Sequence, residues 1–264
     1  MKSIINFFAI GALAILIVSC QQIVELEIED SEKKVVIAAE LQAGTHPFEV
    51  LISRSSLYYE SDTNVFVENA IVILSDDFGL SQLIPHTADG LYSANVVGEA
   101  GNTYTLSVEV DDLSYTAQST MPYVIPLINL TTRSSSQPPN QVGTRVSYSF
   151  KDSVGIMNYY RVRHSVDGEL QSTEPRFFND GLQDGQLITR SIRRGVYQTG
   201  QEITVELIHM NESNYDYLYT LDEIIGENRF SNSTSPANPI TNWSNGALGV
   251  FNTYNIDTMT VVIP

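Results

Sequence analysis

Residues 101–120, GNTYTLSVEVDDLSYTAQST, decide the fold. Tyr104–Val110 and Tyr115–Thr120 are short runs rich in Val, Tyr, Thr and Leu, side chains that fit a pleated surface. Asp111-Asp112 lies between them, and Asp tolerates the positive φ that a tight hairpin turn requires. Ala100-Gly101-Asn102 marks a second turn just upstream. The stretch reads as an antiparallel hairpin.

The same pattern extends back to Lys33. Val35–Gln42, Phe48–Ser53, Ala70–Ser75, Leu80–Ile84 and Leu91–Val97 read as strands. Ala43-Gly44-Thr45, Asp76-Asp77-Phe78-Gly79 and Ala88-Asp89-Gly90 supply the turns, and Tyr58–Val67 reads as a projecting loop. Short strands at this spacing predict an immunoglobulin-like antiparallel β-sandwich over residues 33–122. Pro122, Pro126, Pro138, Pro139 and Ser134-Ser135-Ser136 then interrupt the pattern, so 123–141 reads as a linker with a short entry strand at Pro126–Leu130.

Residues 142–264 form a second, less regular β-rich part. Its predicted strands are Arg145–Lys151, Asn158–Ser165, Gln186–Ile192, Glu202–Met210 and Met259–Ile263, with long polar loops at Asp167–Asp184 and Ser231–Asn245. It carries one helix near residues 212–225. Asn211 or Ser213 would cap the start, and Ser213 with Asp216 has capping-box spacing. Leu218, Leu221 and Ile225 fall on one side, and Gly226 would end the helix. Tyr215, Tyr217 and Tyr219 read as packing residues. The chain is therefore expected to be mainly β.

The start of the chain carries a different message. In MKSIINFFAIGALAILIVSC, residues 1–20, Lys2 precedes an apolar run shorter than the roughly 20 residues that span a bilayer. That is the pattern of a secretory signal peptide. Ile17-Val18-Ser19-Cys20 resembles a bacterial lipobox, in which cleavage precedes the cysteine and the cysteine is acylated. Cys20 is the only cysteine in the chain, so no disulfide can form within one chain, and lipid attachment accounts for a lone exported thiol. Residues 1–19 are then the signal peptide and 20–32 a lipidated tether, in which Val24, Leu26 and Ile28 alternate with Glu25, Glu27 and Glu29. Gln21, rather than Asp, favours the outer membrane by the same resemblance.

Composition narrows the partners. The sequence is 42% hydrophobic, with 31 acids against 14 bases. Cys20–Ile125 holds 17 acids and 3 bases, a net of −14. So acidic a surface repels phosphate backbones and anionic lipid, which argues against nucleic acid and leaves membrane attachment to the acyl anchor.

Catalytic and metal motifs are sparse. His46, His86, His164 and His209 show no zinc-ligand spacing. Asp76-Asp77, Asp111-Asp112 and the Asp180/Asp184 loop offer oxygens, but none follows the calcium-loop pattern, and they read as turn residues. No metal or cofactor is expected. There is no G-x-S-x-G, and no thiol remains once Cys20 is lipidated. Arg190, Arg193 and Arg194 form the densest basic group; on a strand Arg190 and Arg194 would share a face and could hold an anion or pair with the protein's own acids. Trp243, in Asn242-Trp243-Ser244-Asn245-Gly246, would stack on a ligand or form an interface if exposed, or anchor a loop if buried.

Several stretches in order resemble a known set of proteins. They include Lys34-Val35-Val36-Ile37, Val50–Ser55, Val67–Val72 before the Asp-Asp-Phe-Gly turn, and Asp89-Gly90-Leu91-Tyr92. Gly101–Leu106, Tyr115-Thr116-Ala117 leading to Thr120-Met121-Pro122, Tyr215–Leu221 and Asn245–Phe251 follow. Together they resemble the Bacteroidota outer-membrane lipoproteins gathered as domain-of-unknown-function family 4249. The resemblance brings no catalytic residues. It implies company with TonB-dependent transporters, and so a non-enzymatic accessory or cargo-binding role. The alternative is a structural or adhesive surface module with no transporter partner.

Overall fold

The computed structural model describes residues 33–56, 65–137, 141–171, 176–192, 195–225 and 238–264. The first strands are β1 (Val35–Gln42), β2 (Gly44–Arg54), β3 (Val65–Phe66), β4 (Ile71–Asp76), β5 (Ser81–Leu83) and β6 (His86–Ala88). β7 (Leu91–Gly98), β8 (Thr103–Val110), β9 (Leu113–Thr120), β10 (Leu127–Gln137), β11 (Gln141–Lys151) and β12 (Tyr159–Val166) follow. The last are β13 (Glu169–Leu170), β14 (Arg176–Asn179), β15 (Leu187–Ser191), β16 (Glu202–Met210) and β17 (Leu248–Val262), with helix α1 (Glu212–Ile225) before β17.

The hairpin at 101–120 forms as its sequence requires. Asp111 and Asp112 take φ of 50° and 64°, and β8 pairs with β9 from Thr103↔Thr120 to Val110↔Leu113. Asp89-Gly90 and Asp167-Gly168 make the same kind of turn, with φ of 46° and 72°, and 51° and 83°. The second of these, with β13 and β14, breaks up the stretch that the sequence suggests is a long polar loop.

One ten-stranded sheet runs through the whole described chain in the order β13-β12-β16-β17-β1-β2-β7-β6, with β14 on β12 and β3 on β2. Two smaller sheets, β5-β4-β8-β9 and β10-β11-β15, pack against different parts of it. The first core joins Ile37, Phe48 and Ile52 of the large sheet to Leu74, Tyr104 and Leu106 of the four-stranded one. The second joins Tyr160, Val205 and Leu207 to Val146, Phe150 and Ile188. The protein is thus mainly β and sandwich-like in each half, and among the described residues the strand pairs are antiparallel except one.

That exception is β1 with β17. β17 pairs in parallel with β1 from Val36↔Leu248 to Gln42↔Tyr254, then antiparallel with β16 from Met210↔Tyr254 to Glu202↔Val262. One strand therefore serves both halves. Sequence reasoning expects only Met259–Ile263 there. Asn252 and Thr253 obscure the rest because they are buried, where strand patterns carry apolar residues. Ser119 accounts for Thr253: its hydroxyl accepts the Thr253 amide at 2.9 Å and bonds the Thr253 hydroxyl at 2.9 Å.

The described chain is organised differently from a sandwich, a linker and a second part. Residues 123–141, read as a linker with a short entry strand, are largely strand, because β10 pairs with β11 along Leu127–Gln137. Residues 33–122 and 142–264 share one sheet. Lys33–Pro264 forms one compact unit, and Trp243, Ala247 and Phe251 complete the N-terminal core.

Helix α1 is capped by Asn211 rather than Ser213. Its Oδ1 accepts the Asn214 amide at 3.4 Å and the Ser213 hydroxyl at 3.1 Å. Tyr215 packs against Tyr159 and Phe177, with ring centroids 5.0 and 5.6 Å apart, whereas Tyr219 is half-exposed. Gly226 lies outside the described residues.

Candidate functional site

Two loops carry the chain between sheets at one end of the second half. Residues 152–158 connect β11 to β12, and 180–186 connect β14 to β15. β11 pairs with β15 at Lys151↔Leu187, and β12 pairs with β14 at Tyr159↔Asn179. Both loops therefore leave the sheets at the same level, and the first residue of each is an aspartate. Register sets Asp152 beside Gln186 and Asp180 beside Asn158, and the packing of the two sheets against each other brings the two aspartates together.

Backbone amides hold the carboxylates in place. The Gly185 amide donates to Asp152 Oδ2 at 2.8 Å, and the Gly155 amide to Asp184 Oδ1 at 2.7 Å. The Asn158 amide donates to Asp180 Oδ2 at 3.3 Å, while the Asp180 amide donates to the Asn158 carbonyl at 3.1 Å. The Tyr160 hydroxyl donates to Asp152 Oδ1. Burial, with the Asp152 carboxylate beside it, pushes that hydroxyl far above the ordinary tyrosine value of 10.0, so it remains a donor. Each loop thus clasps the other through a carboxylate.

The result is a concentration of negative charge. One carboxylate oxygen from each of Asp152, Asp180 and Asp184 lies within 4.8 Å of the others. Asp152 and Asp180 are each 3% exposed, whereas Asp184 is at the solvent rim. Among the described residues, no ion pair joins Asp152 or Asp180 to a basic side chain. At that separation two carboxylates repel by about 3 kcal/mol for an effective dielectric near 20. Asp180 Oδ1 and Asn158 Oδ1 are buried without a hydrogen-bond partner. Around this acidic centre the loops expose Val154, Ile156, Met157 and Leu182, the last at 98%.

The residues singled out from sequence go elsewhere. Trp243 is 5% exposed, so it is an anchor and not an open stacking platform. Its Nε1 donates to the Ile37 carbonyl at 3.1 Å, and the neighbouring Ser244 hydroxyl accepts the Thr116 amide at 2.8 Å. Arg190 is spent on packing, with its guanidinium carbon 3.9 Å from the centre of the Phe178 ring. Arg194 and Arg193 lie outside the described residues, as do Cys20 and the tether. His209 is buried, and its Nδ1 lies 2.7 Å from the Tyr123 carbonyl; His164 is also buried. Burial depresses both imidazoles below their ordinary 6.5. No helix among the described residues is long and apolar enough to cross a membrane.

Sequence reasoning reaches Asp180 and Asp184 as a loop with oxygens to offer but misses Asp152, Asn158 and Tyr160. The available sign is an Asp closing a strand before Ser-x-Gly. Its partner is 28 residues away (180 − 152 = 28), and only strand register together with the packing of the two sheets joins them.

Fold and site together define a mainly β protein whose two sandwich-like halves share one sheet and whose second half ends in an acidic pair of clasped loops. The chain belongs to a family described as a domain of unknown function, DUF4249, whose sequence model matches residues 21–260. No curated protein matches it.

Proposed function

We propose that the protein is a non-enzymatic lipoprotein of the bacterial outer membrane, anchored through Cys20, that serves as an accessory or cargo-binding partner of a TonB-dependent transporter. The lipobox Ile17-Val18-Ser19-Cys20, with the chain's single cysteine at the end of a short apolar run, carries this reading. Several acyl chains at that thiol and amine hold a protein far more firmly than one, because each buried methylene adds about 0.8 kcal/mol. The compact unit begins at Lys33, 13 residues beyond Cys20 (33 − 20 = 13), so a short tether would keep it close to the membrane. Exposed apolar residues gathered on the loops 152–158 and 180–186 are the kind of surface that a protein partner covers. The family resemblance supplies the transporter as that partner.

The test is a gentle detergent pull-down of the tagged protein from its native outer membrane, with Cys20→Ser as the unanchored control. A large barrel protein recovered in stoichiometric amount, from the wild type but not from the control, is the expected outcome. Recovery of the protein alone from the outer membrane would favour a structural or adhesive module. Turnover of a glycan or peptide by the purified protein would refute the non-enzymatic assignment.

A further inference from the structure

Three carboxylates drawn together by two loops need something to offset their charge. Buried carboxylates in proteins are paired with cations, share protons or coordinate metals. Asp152 and Asp180 are buried and form no ion pair among the described residues. Two further observations point to an electropositive guest rather than to a self-contained hydrogen-bond network. Asp180 Oδ1, on a side chain 3% exposed within the cluster, has no donor. Asn158, 1% exposed, spends both amide hydrogens on the Ser153 and Ile156 carbonyls at 3.1 and 2.9 Å, which leaves its Oδ1 unpartnered on the other edge of the amide.

We propose that Asp152, Asp180 and Asp184, with Asn158 Oδ1, form a calcium-binding site at this end of the protein. The donors are oxygens only, which suits a hard cation and not zinc or copper. Asp152 accepts one hydrogen bond at each oxygen, and each oxygen keeps a second lone pair for a metal. Asp184 commits only Oδ1, and its exposed position lets water complete the shell. Calcium accepts six to eight oxygens in irregular geometry, whereas magnesium demands a near-ideal octahedron and dehydrates reluctantly. Ligands from two loops, with one amide oxygen, fit the former. The site has no linear motif because its ligands lie on two separate loops, and it does not depend on the membrane anchor.

The mature chain, residues 20–264 with Cys20→Ser, is treated with EDTA and titrated with calcium chloride by calorimetry and by thermal unfolding. One calcium should bind with a Kd of about 0.1–1 mM, typical of extracellular modules. The midpoint should rise by about 5 °C or more at one hundred times Kd. Asp180→Asn removes one charge and keeps the side chain's shape. It should abolish the calcium-induced shift while leaving the metal-free protein as stable as the parent or more so, since a repulsion is relieved. Asp184→Asn, at the rim and safe for folding, should weaken binding about tenfold or more, because affinity follows ligand charge. Asp222→Asn on the exposed face of α1 should change nothing.

No saturable binding at about 10 mM calcium, ten times the weakest affinity expected, would overturn the site. Undiminished binding by both Asp180→Asn and Asp184→Asn would also overturn it. Equal affinity for magnesium would overturn the assignment to calcium. A metal-free Asp180→Asn protein that is folded but less stable than the parent would show a cluster held by its own hydrogen bonds, and would refute the need for a cation.

Discussion

Gly249→Ala tests the joint between the two halves. Gly249 sits in β17 opposite Ile37 of β1, with φ at +92°. A Cβ built there would lie 2.2 Å from the Ile37 carbonyl oxygen and 2.8 Å from its carbon, so backbone must move. The same carbonyl oxygen accepts the Trp243 indole at 3.1 Å. Gly200 is the matched control: its φ is +89°, and a Cβ there meets nothing within 4 Å. Positive φ costs an alanine about 1–3 kcal/mol at either site. At Gly249 alone, displacement of a packed strand adds about 1–3 kcal/mol. Loss of the indole bond adds about 1 kcal/mol. Gly249→Ala should therefore be less stable than Gly200→Ala by about 2–4 kcal/mol in urea titrations. Trp243 is the only tryptophan, so its fluorescence reports the event directly, and the folded Gly249→Ala protein should show a red-shifted emission. If the two alanine variants lose equal stability, or the emission stays at its parent wavelength, the reasoning about β1 and β17 fails.

Three further outcomes follow from contacts already described. Trp243→Phe keeps an aromatic ring but removes the donor to the Ile37 carbonyl, and should cost about 1–2 kcal/mol by circular dichroism in urea; an unchanged midpoint would mean that the indole does not hold the segment. Asp112→Val places a β-branched residue at φ 64° and should cost about 1–3 kcal/mol, whereas Asp112→Gly should be near neutral; equal effects would contradict the turn assignment. His209 is buried with its value below 6.5, so the unfolded chain binds the proton more readily than the native one. Its contribution is complete above pH 6.5 and is lost as pH falls toward the depressed native value. Thermal midpoints should accordingly fall on acidification from neutrality, and less steeply in His209→Asn; identical slopes would remove His209 as the cause.

Most single strands can be read from the sequence, because each is a short β-forming run bounded by Gly or Asp turns. β1 and β16 match their predicted limits of Val35–Gln42 and Glu202–Met210. The failures have a common physical cause, which is pairing between residues far apart in the chain. β17 hides behind buried Asn252 and Thr253: Thr253 is satisfied by Ser119 of β9, 134 residues away, and not by the strand itself, while Asn252 Oδ1 has no hydrogen-bond partner. Prolines at 122, 126, 138 and 139 suggest a linker, yet they flank β10 and leave Leu127–Gln137 free to pair. Trp243 reads equally as platform or anchor until Ile37, 206 residues away, supplies its acceptor.

The acidic loops show why site and fold differ in legibility. A linear metal motif is visible when one loop supplies every ligand, since spacing then fixes geometry. Here the spacing between Asp152 and Asp180 carries no information; two ladder pairs, Lys151↔Leu187 and Tyr159↔Asn179, set the two loops side by side, and the packing of their two sheets does the rest. A one-residue slip in either pair would turn the side chains of a strand to its other face and separate the carboxylates. The alternation of β12, with Tyr160 and Val162 inward, opposes that slip because it would expose the second core. The same apolar pattern that makes the sandwich therefore fixes the carboxylates at the end of it, and the charge they concentrate there is a consequence of register and sheet packing rather than of any local motif.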